Sequence, residues 1–226
     1  MKGMFLLVLL VSLVGCQTDS LQPTSQKQKS LTPKLVLEEL MAGNKKFVQG
    51  EISQTDVKKR IQLGNSGQFP KAVILSCLDS RVPVEQVFDQ GIGDIFVGRV
   101  AGNIVNEDQL GSMEFASKLA GVKLIMVMGH TACGAVKGAC DNAKMGNLTA
   151  LLSKIKPSVE SVKGFDASKR NSKNPLFVNA VVKHNVIRTV KEIRERSPIL
   201  KDMEQKGLIK IVGAIYDLKD GSVKLL

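Results

Sequence analysis

Two hydrophobic patterns alternate along this chain. Short, nearly unbroken apolar runs have the length and β-branched content of buried strands. They are Ala72-Val73-Ile74-Leu75, Leu124-Ile125-Met126-Val127-Met128 and the stretch from Ile209 to Tyr216. Strands are expected at 71–76, 95–97, 122–129 and 209–216, with an edge strand at 223–226. Between them, apolar residues recur every three or four positions. This predicts a helix over 107–120 with Leu110, Met113, Phe115, Ala116 and Leu119 inward, and a long one from Pro175 to about Arg196. Thr32-Pro33 reads as a capped helix start, followed by an apolar face of Leu35, Leu37, Leu40, Met41 and Phe47. Shorter helices are expected at 54–63, after Pro83, at 133–141, from Leu148 to Ile155 and after Pro198, with a basic loop at 163–174. Strands alternating with helices predict an α/β domain, a mainly parallel β-sheet flanked by helices.

The N-terminus is patterned differently. Lys2 precedes an apolar stretch, Met4 to Val14, too short to span a bilayer as a mature helix. Its end, Leu13-Val14-Gly15-Cys16, resembles a bacterial lipoprotein signal, in which the cysteine becomes the lipidated first residue. A cleaved signal peptide with an incidental cysteine is the alternative. Residues 17 to about 31 are rich in Gln, Ser, Thr and Lys with no apolar period, which reads as a disordered tether. The expected organisation is a signal peptide over 1–15, lipidated Cys16 and a flexible tether over 16–32, and one catalytic domain over 33–226. Export follows, with the domain held at a bacterial membrane and facing the periplasm.

Composition narrows the function classes. At 226 residues and 43% hydrophobic, the chain can build one globular core. Its net charge of +11 favours anionic surfaces without specifying a fold. With no Trp, one Tyr and no aromatic-interleaved basic motif, nucleic-acid binding is disfavoured. Gly91-Ile92-Gly93 precedes a strand and has Phe96 where a third glycine would sit, which argues against a dinucleotide cradle and a zinc alcohol dehydrogenase.

The chemistry gathers at two strand ends, where open α/β sheets form their sites. Cys77 follows the first strand, and His130-Thr131-Ala132-Cys133 follows the third. Two thiolates and an imidazole suit zinc, and three protein ligands leave its fourth position open for chemistry. His130 and Cys133 are one helical turn apart and can face one point. Asp79 and Arg81 lie close after Cys77, and an arginine keeps a carboxylate ionised and fixed. Asp79 then either orients a zinc-bound nucleophile or itself closes the fourth position; spacing leaves both open. Cys140 is expected to be a buried small apolar residue, with a Cys133–Cys140 disulfide as the competing reading. His184 reads as an exposed helix residue, with proton shuttling as the alternative.

Taken together, Cys77-Leu78-Asp79-Ser80-Arg81-Val82-Pro83, Gly98-Arg99-Val100-Ala101-Gly102-Asn103 and Gly129-His130-Thr131-Ala132-Cys133-Gly134 resemble the β-class carbonic anhydrases. The resemblance spans about residues 33–226, including Gly43-Asn44-Lys45-Lys46-Phe47 and Ala214-Ile215-Tyr216-Asp217-Leu218. It implies zinc, one per subunit, on Cys77, His130 and Cys133, with Asp79 and Arg81 as the catalytic dyad. It implies that Gln68 donates to carbon dioxide or bicarbonate, that Phe96 and Phe115 wall the apolar pocket, and that Gly134 offers a backbone donor. Family pockets lie at a dimer interface, so a homodimer or dimer-based oligomer is expected. Some members bind a second, inhibitory bicarbonate through a Trp where this chain has Ile74; the resemblance thus implies no such site and Asp79 paired to Arg81. The implied activity is zinc-dependent, reversible hydration of carbon dioxide to bicarbonate and a proton. The alternatives are a non-enzymatic zinc-binding lipoprotein, or a relative hydrolysing another small linear substrate such as carbon disulfide.

Overall fold

The apolar runs become the interior of a single sheet. β1 (Ala72–Ser76) and β3 (Leu124–His130) are buried at every position and pair in parallel. In the computed structural model, which describes residues 24–226, β2 (Ile95–Arg99) flanks β1 and β4 (Lys210–Tyr216) flanks β3, both parallel. A short β5 (Val223–Leu225) closes the far edge antiparallel, giving the order β2-β1-β3-β4-β5. The predicted α/β architecture, a mainly parallel sheet with helices on its faces, is the one observed.

Side-chain alternation sorts the strand residues onto two faces. Ala72, Ile74, Leu124, Met126 and Met128 pack on one face against α2 (Pro33–Gln49) and α4 (Val84–Val87), with Val36, Leu40 and Phe88 opposite them. Val73, Leu75, Ile125 and Val127 pack on the other against α5 (Glu107–Glu114), α9 (Pro175–Arg196) and α10 (Pro198–Gln205). Each fully buried large side chain contributes about 1.5–3 kcal/mol. A third cluster roofs the carboxyl ends of the strands, built from α6 (Gly134–Cys140), α7 (Gly146–Ser153), α8 (Lys156–Ser161) and the start of α9.

Local chemistry sets the helix limits. The Thr32 hydroxyl accepts from the Leu35 N–H, Pro33 opens α2, and Gly50 ends it with a left-handed φ of 74°. Asn174 and Ser197 cap α9 and α10, each followed by proline. The short helix predicted at 54–63 forms as α3 (Val57–Gly64).

Three expectations are corrected. The inward face of α2 centres on Val36 and Leu40, while Leu35 is half exposed. It continues through Gly43 and Asn44, because the Phe88 carbonyl occupies the space a side chain at 43 would need. The helix predicted over 107–120 loosens after Glu114 into a π turn, Phe115–Leu119. Phe115 and Leu119 face outward, while Leu110, Met113 and Ala116 form the buried face.

The third correction concerns the tether. Its N-terminal part, Cys16 and the signal segment lie outside the described residues. Residues 25–30 form a short helix, α1 (Ser25–Ser30), capped by Thr24. Gln28 is buried, and its amide donates to the carbonyls of Pro70 (2.6 Å) and Ala120 (2.7 Å). Two carbonyls just ahead of β1 and β3 need a donor, and Gln28 supplies it, so the polar segment is docked from Thr24 onward. Among the described residues, no helix is long and apolar enough to cross a membrane.

Candidate metal centre

Cys77 is the first residue beyond β1, His130 the last of β3, and Cys133 the residue before α6. Parallel pairing of β1 with β3 delivers all three to one point, where each is at most 4% exposed. Their ligand atoms lie within 4.8 Å of one another. The two sulfurs are 3.8 Å apart, about the separation of two thiolates bound to one tetrahedral zinc.

The donor set fits a soft dication. Buried thiols this close cannot both ionise without a cation between them. The hydrogen bond from Cys133 pulls the Cys77 thiol down to about 4, helped by the Gly102 N–H. The same bond, with burial, pushes Cys133 above its usual range. His130 Nδ1 lies 3.0 Å from the Thr131 carbonyl, which fixes the tautomer by taking the Nδ1 proton. Its Nε2 is buried with no hydrogen-bond partner among the described residues, a lone pair aimed at the cysteines. Zinc therefore fits Cys77, His130 and Cys133.

Asp79 stands beside this cluster, its Oδ2 3.7 Å from His130 Nε2. Arg81 grips it at two points, Nε to Oδ1 at 2.9 Å and Nη2 to Oδ2 at 2.8 Å, and adds its backbone N–H at 3.0 Å. These bonds hold the Asp79 carboxyl well below the usual carboxylate range. Asp79 is thus ionised and aimed by Arg81. Ile74 and Val82 are fully buried in one apolar cluster.

Sequence reasoning assigned no role to several groups that hold these ligands in place. Arg99, at the end of β2, donates from Nε to the Cys77 carbonyl (3.0 Å) and from Nη2 to the Asp79 carbonyl. Gly102 adopts a φ of 71° and donates to Cys77 Sγ (3.3 Å); a Cβ there would strike Ile155. Buried Asn185 holds the Gly102 carbonyl (2.8 Å) and is itself held by Ser158. Ala132 sits in left-handed backbone, φ 55°, and its N–H is taken by Asn179 Oδ1. The Thr131 hydroxyl bonds Asp217 and accepts from the Leu218 N–H. Gly102 and Arg99 stand in a quoted motif; Asn185 gave no signal beyond being a polar residue on an otherwise apolar helix face, and Asn179 is an exposed polar residue of the same helix.

The pocket residues are placed elsewhere. Gln68 is exposed in the loop that enters β1, at the opposite end of that strand from Cys77. Phe96 pairs with Val73 early in β2, and its ring lies 6.3 Å from that of Phe115. Both line an open cleft of about 840 Å³ along the β2 edge, with Arg99 and Gln109. Gln68 and Phe96 lie toward the amino ends of β1 and β2, away from the carboxyl ends where the ligands sit, and Phe115 packs against Phe96. Gly134 directly follows Cys133, with open space beside its Cα. Cys140 is a free, buried thiol pushed up to about 11 by burial; the competing disulfide is absent. His184 is exposed and bonds Ser161.

Comparison with known proteins bears on this geometry. The family model for carbonic anhydrases matches residues 72–223. Carbonic anhydrase 2 of Mycobacterium tuberculosis is 36% identical over 193 residues, covering 82% of this chain and 89% of its own. The carbonic anhydrase of Mycolicibacterium smegmatis is 35% identical with the same coverage. Among solved structures, the β-carbonic anhydrase CafA of Aspergillus fumigatus is 26% identical, with a TM-score of 0.64 over 84% of this chain and 90% of that one. A tetrameric β-carbonic anhydrase of Sordaria macrospora shares the fold at 24% identity, with a TM-score of 0.63 over 85% of this chain and 94% of that one.

Proposed function

The chain belongs to the β-class carbonic anhydrases, and from that premise we propose that its Cys77–His130–Cys133 centre performs the zinc-dependent, reversible hydration of carbon dioxide to bicarbonate and a proton. The observation that carries this reading is the convergence of three buried ligand atoms beside an arginine-held carboxylate. When bound, zinc acidifies a water and steadies the negative charge that develops as bicarbonate forms.

The residues divide the work. Cys77 and Cys133 bind as thiolates and together neutralise the dication, which lowers the acidity it can lend to water. His130 binds through Nε2, its ring locked by the Thr131 carbonyl. Asp79, ionised and fixed by Arg81, would accept a hydrogen bond from the nucleophile and so direct the nucleophile's lone pair toward carbon dioxide. The engagement of both carboxylate oxygens by Arg81 supports the orienting role for Asp79 over ligation. Gly134 offers its backbone N–H beside Cys133. Ile74, fully buried, stands where some relatives carry the Trp that takes an inhibitory bicarbonate, which supports the absence of that site here although the matching Val82 is present.

Gln68, Phe96 and Phe115 complete the pocket from a neighbouring subunit. Their distance from their own chain's ligands supports a homodimer, or an oligomer built from dimers, as the active unit. Residues 2–16 support export and lipidation of Cys16, with the domain on the periplasmic side.

Stopped-flow carbon dioxide hydration of the full chain, with zinc content, tests the reading at pH 7 and pH 9. Rapid turnover at both values with one zinc per chain is expected. One zinc per chain and no turnover at either value overturns it.

A further inference from the structure

The segment ahead of the domain reaches into it through one side chain. Gln28 is 6% exposed, and the two hydrogens of its amide go to two carbonyls, those of Pro70 (2.6 Å) and Ala120 (2.7 Å). α1 delivers it: the Gln28 N–H bonds the Thr24 carbonyl, and Leu31, just past the helix, packs against the cluster of α2 and α4. Gly121 makes room in left-handed backbone, φ 79°; a Cβ there would lie 3.2 Å from Gln28 Oε1.

Each carbonyl belongs to a segment that carries a pocket residue. Pro70 is buried at the end of the loop that presents exposed Gln68. Among the described residues Gln68 and Phe69 make no hydrogen bond, so the Gln28 amide supplies the hydrogen bond that fixes this stretch ahead of Lys71. Ala120 closes the π turn, its N–H donating to the Phe115 carbonyl at 3.0 Å. The residue that Gln28 grips is thus bonded directly to Phe115, whose ring lies 6.3 Å from that of Phe96. A carbonyl turned away from water needs a donor, and one amide supplies both, so the two segments keep a fixed spacing.

We propose that Gln28 is a positioning residue of the active site: it sets the loop bearing Gln68 and the turn bearing Phe115 as one unit, presented to the neighbouring subunit's metal centre. The inference rests on the pocket shared between subunits proposed above. It makes the segment from Thr24 part of the catalytic unit, where its polar composition reads as a spacer. Gln28 touches neither substrate nor metal. It acts through Gln68, whose amide must meet an oxygen of carbon dioxide or bicarbonate, and a misplacement of about 1 Å at such a group can lower the rate about 10²-fold. Cys77, Asp79 and His130 stand beyond or at the other ends of β1 and β3, so the loss falls on substrate and leaves the metal in place.

The test is made in the full chain. Gln28→Met has similar length and no donor; Gln28→Glu has the same shape and one donor at most, and stands in where Gln28→Met fails to assemble. Each should keep one zinc per chain and the assembly of the unaltered protein. In stopped-flow hydration each should raise KM for carbon dioxide about tenfold or more, as Gln68→Ala should, with kcat changed less. Hybrids give a readout that a merely structural role would not move. A Gln28→Met chain has an intact metal centre, and an Asp79→Asn chain has intact pocket segments. Co-expressed with different tags, they should form hybrids whose KM returns to that of the unaltered protein, because Gln68 and Phe115 of the Asp79→Asn chain serve the intact centre. An unaltered KM in the Gln28 variant, with Gln68→Ala impaired, overturns the role of Gln28 and leaves the shared pocket standing. An unaltered KM in Gln68→Ala overturns the pocket reading and the inference with it. A hybrid that keeps the raised KM overturns action across the interface. Loss of zinc or of assembly in both Gln28 variants means that the amide holds the fold, which overturns the positioning role.

Discussion

The two segments that supply the metal ligands are built on different principles. The segment 130–133 is rigid: His130 and Cys133 are almost wholly buried, Ala132 is held at φ 55°, and Asn179, Asp217 and the Tyr216 carbonyl bond the turn from three sides. A non-glycine residue in left-handed backbone costs of order 1–3 kcal/mol, which those bonds offset. The segment 77–81 has one buried ligand, Cys77, followed by an exposed loop with Leu78 64% accessible. Guanidinium groups hold that loop, Arg99 by its backbone and Arg81 by the Asp79 side chain. One segment holds the metal in place, and the other combines a ligand with the group that directs chemistry. Where a site both binds and reacts, the reacting arm is positioned by charged hydrogen bonds and the binding arm by backbone packing.

The largest expected effects break the comparison at its base. Cys133→Ala and Cys77→Ala should both abolish bound zinc and turnover, read by metal analysis and stopped-flow hydration. Asp79→Asn should separate the arms: one zinc per chain remains, while turnover falls about 10²–10⁴-fold. Full activity in that variant would remove Asp79 from the reaction. Next in size, Asn179→Ala should act on the rigid arm, weakening zinc about 10–100-fold in chelator competition. Arg99→Gln should act on the other, lowering turnover with zinc affinity little changed; if zinc and turnover fall together, the two arms are one unit. The smallest effect belongs to Cys140, outside both arms. With its thiol buried and pushed up to about 11, it should resist alkylation at neutral pH in the folded holoenzyme, read by mass spectrometry of the labelled chain.

How much of this was legible in the sequence follows from the range of the contacts involved. The strands and the long helix from Pro175 to Arg196 were readable because apolar period and proline caps are local. The ligands were readable because strand ends carry sites in α/β sheets, which turns two distant motifs into neighbours. The bend at Phe115 was not, since a π turn leaves the apolar spacing of 107–120 unchanged to the eye. Nor was the docking of Gln28, whose partners lie 42 and 92 positions away in a segment of purely polar composition. Arg99 illustrates the middle case: its motif was visible, yet its role depends on carbonyls 22 and 20 residues back.

Asn44 carries a consequence for the order in which the molecule is made. Its side chain donates to the carbonyls of Val87 and Gly221 and accepts from the Val223 N–H, joining the first long helix to the last strand. A ribosome releases residue 44 long before residue 223. Until the final few residues emerge, a buried amide lacks two of its three partners and β4 lacks its edge neighbour. Long-range closure of this kind makes the packing around Asn44 wait for residues 221–223. Clipping within residues 217–225 should therefore loosen the first long helix as well as the edge of the sheet, and leave both open to proteases.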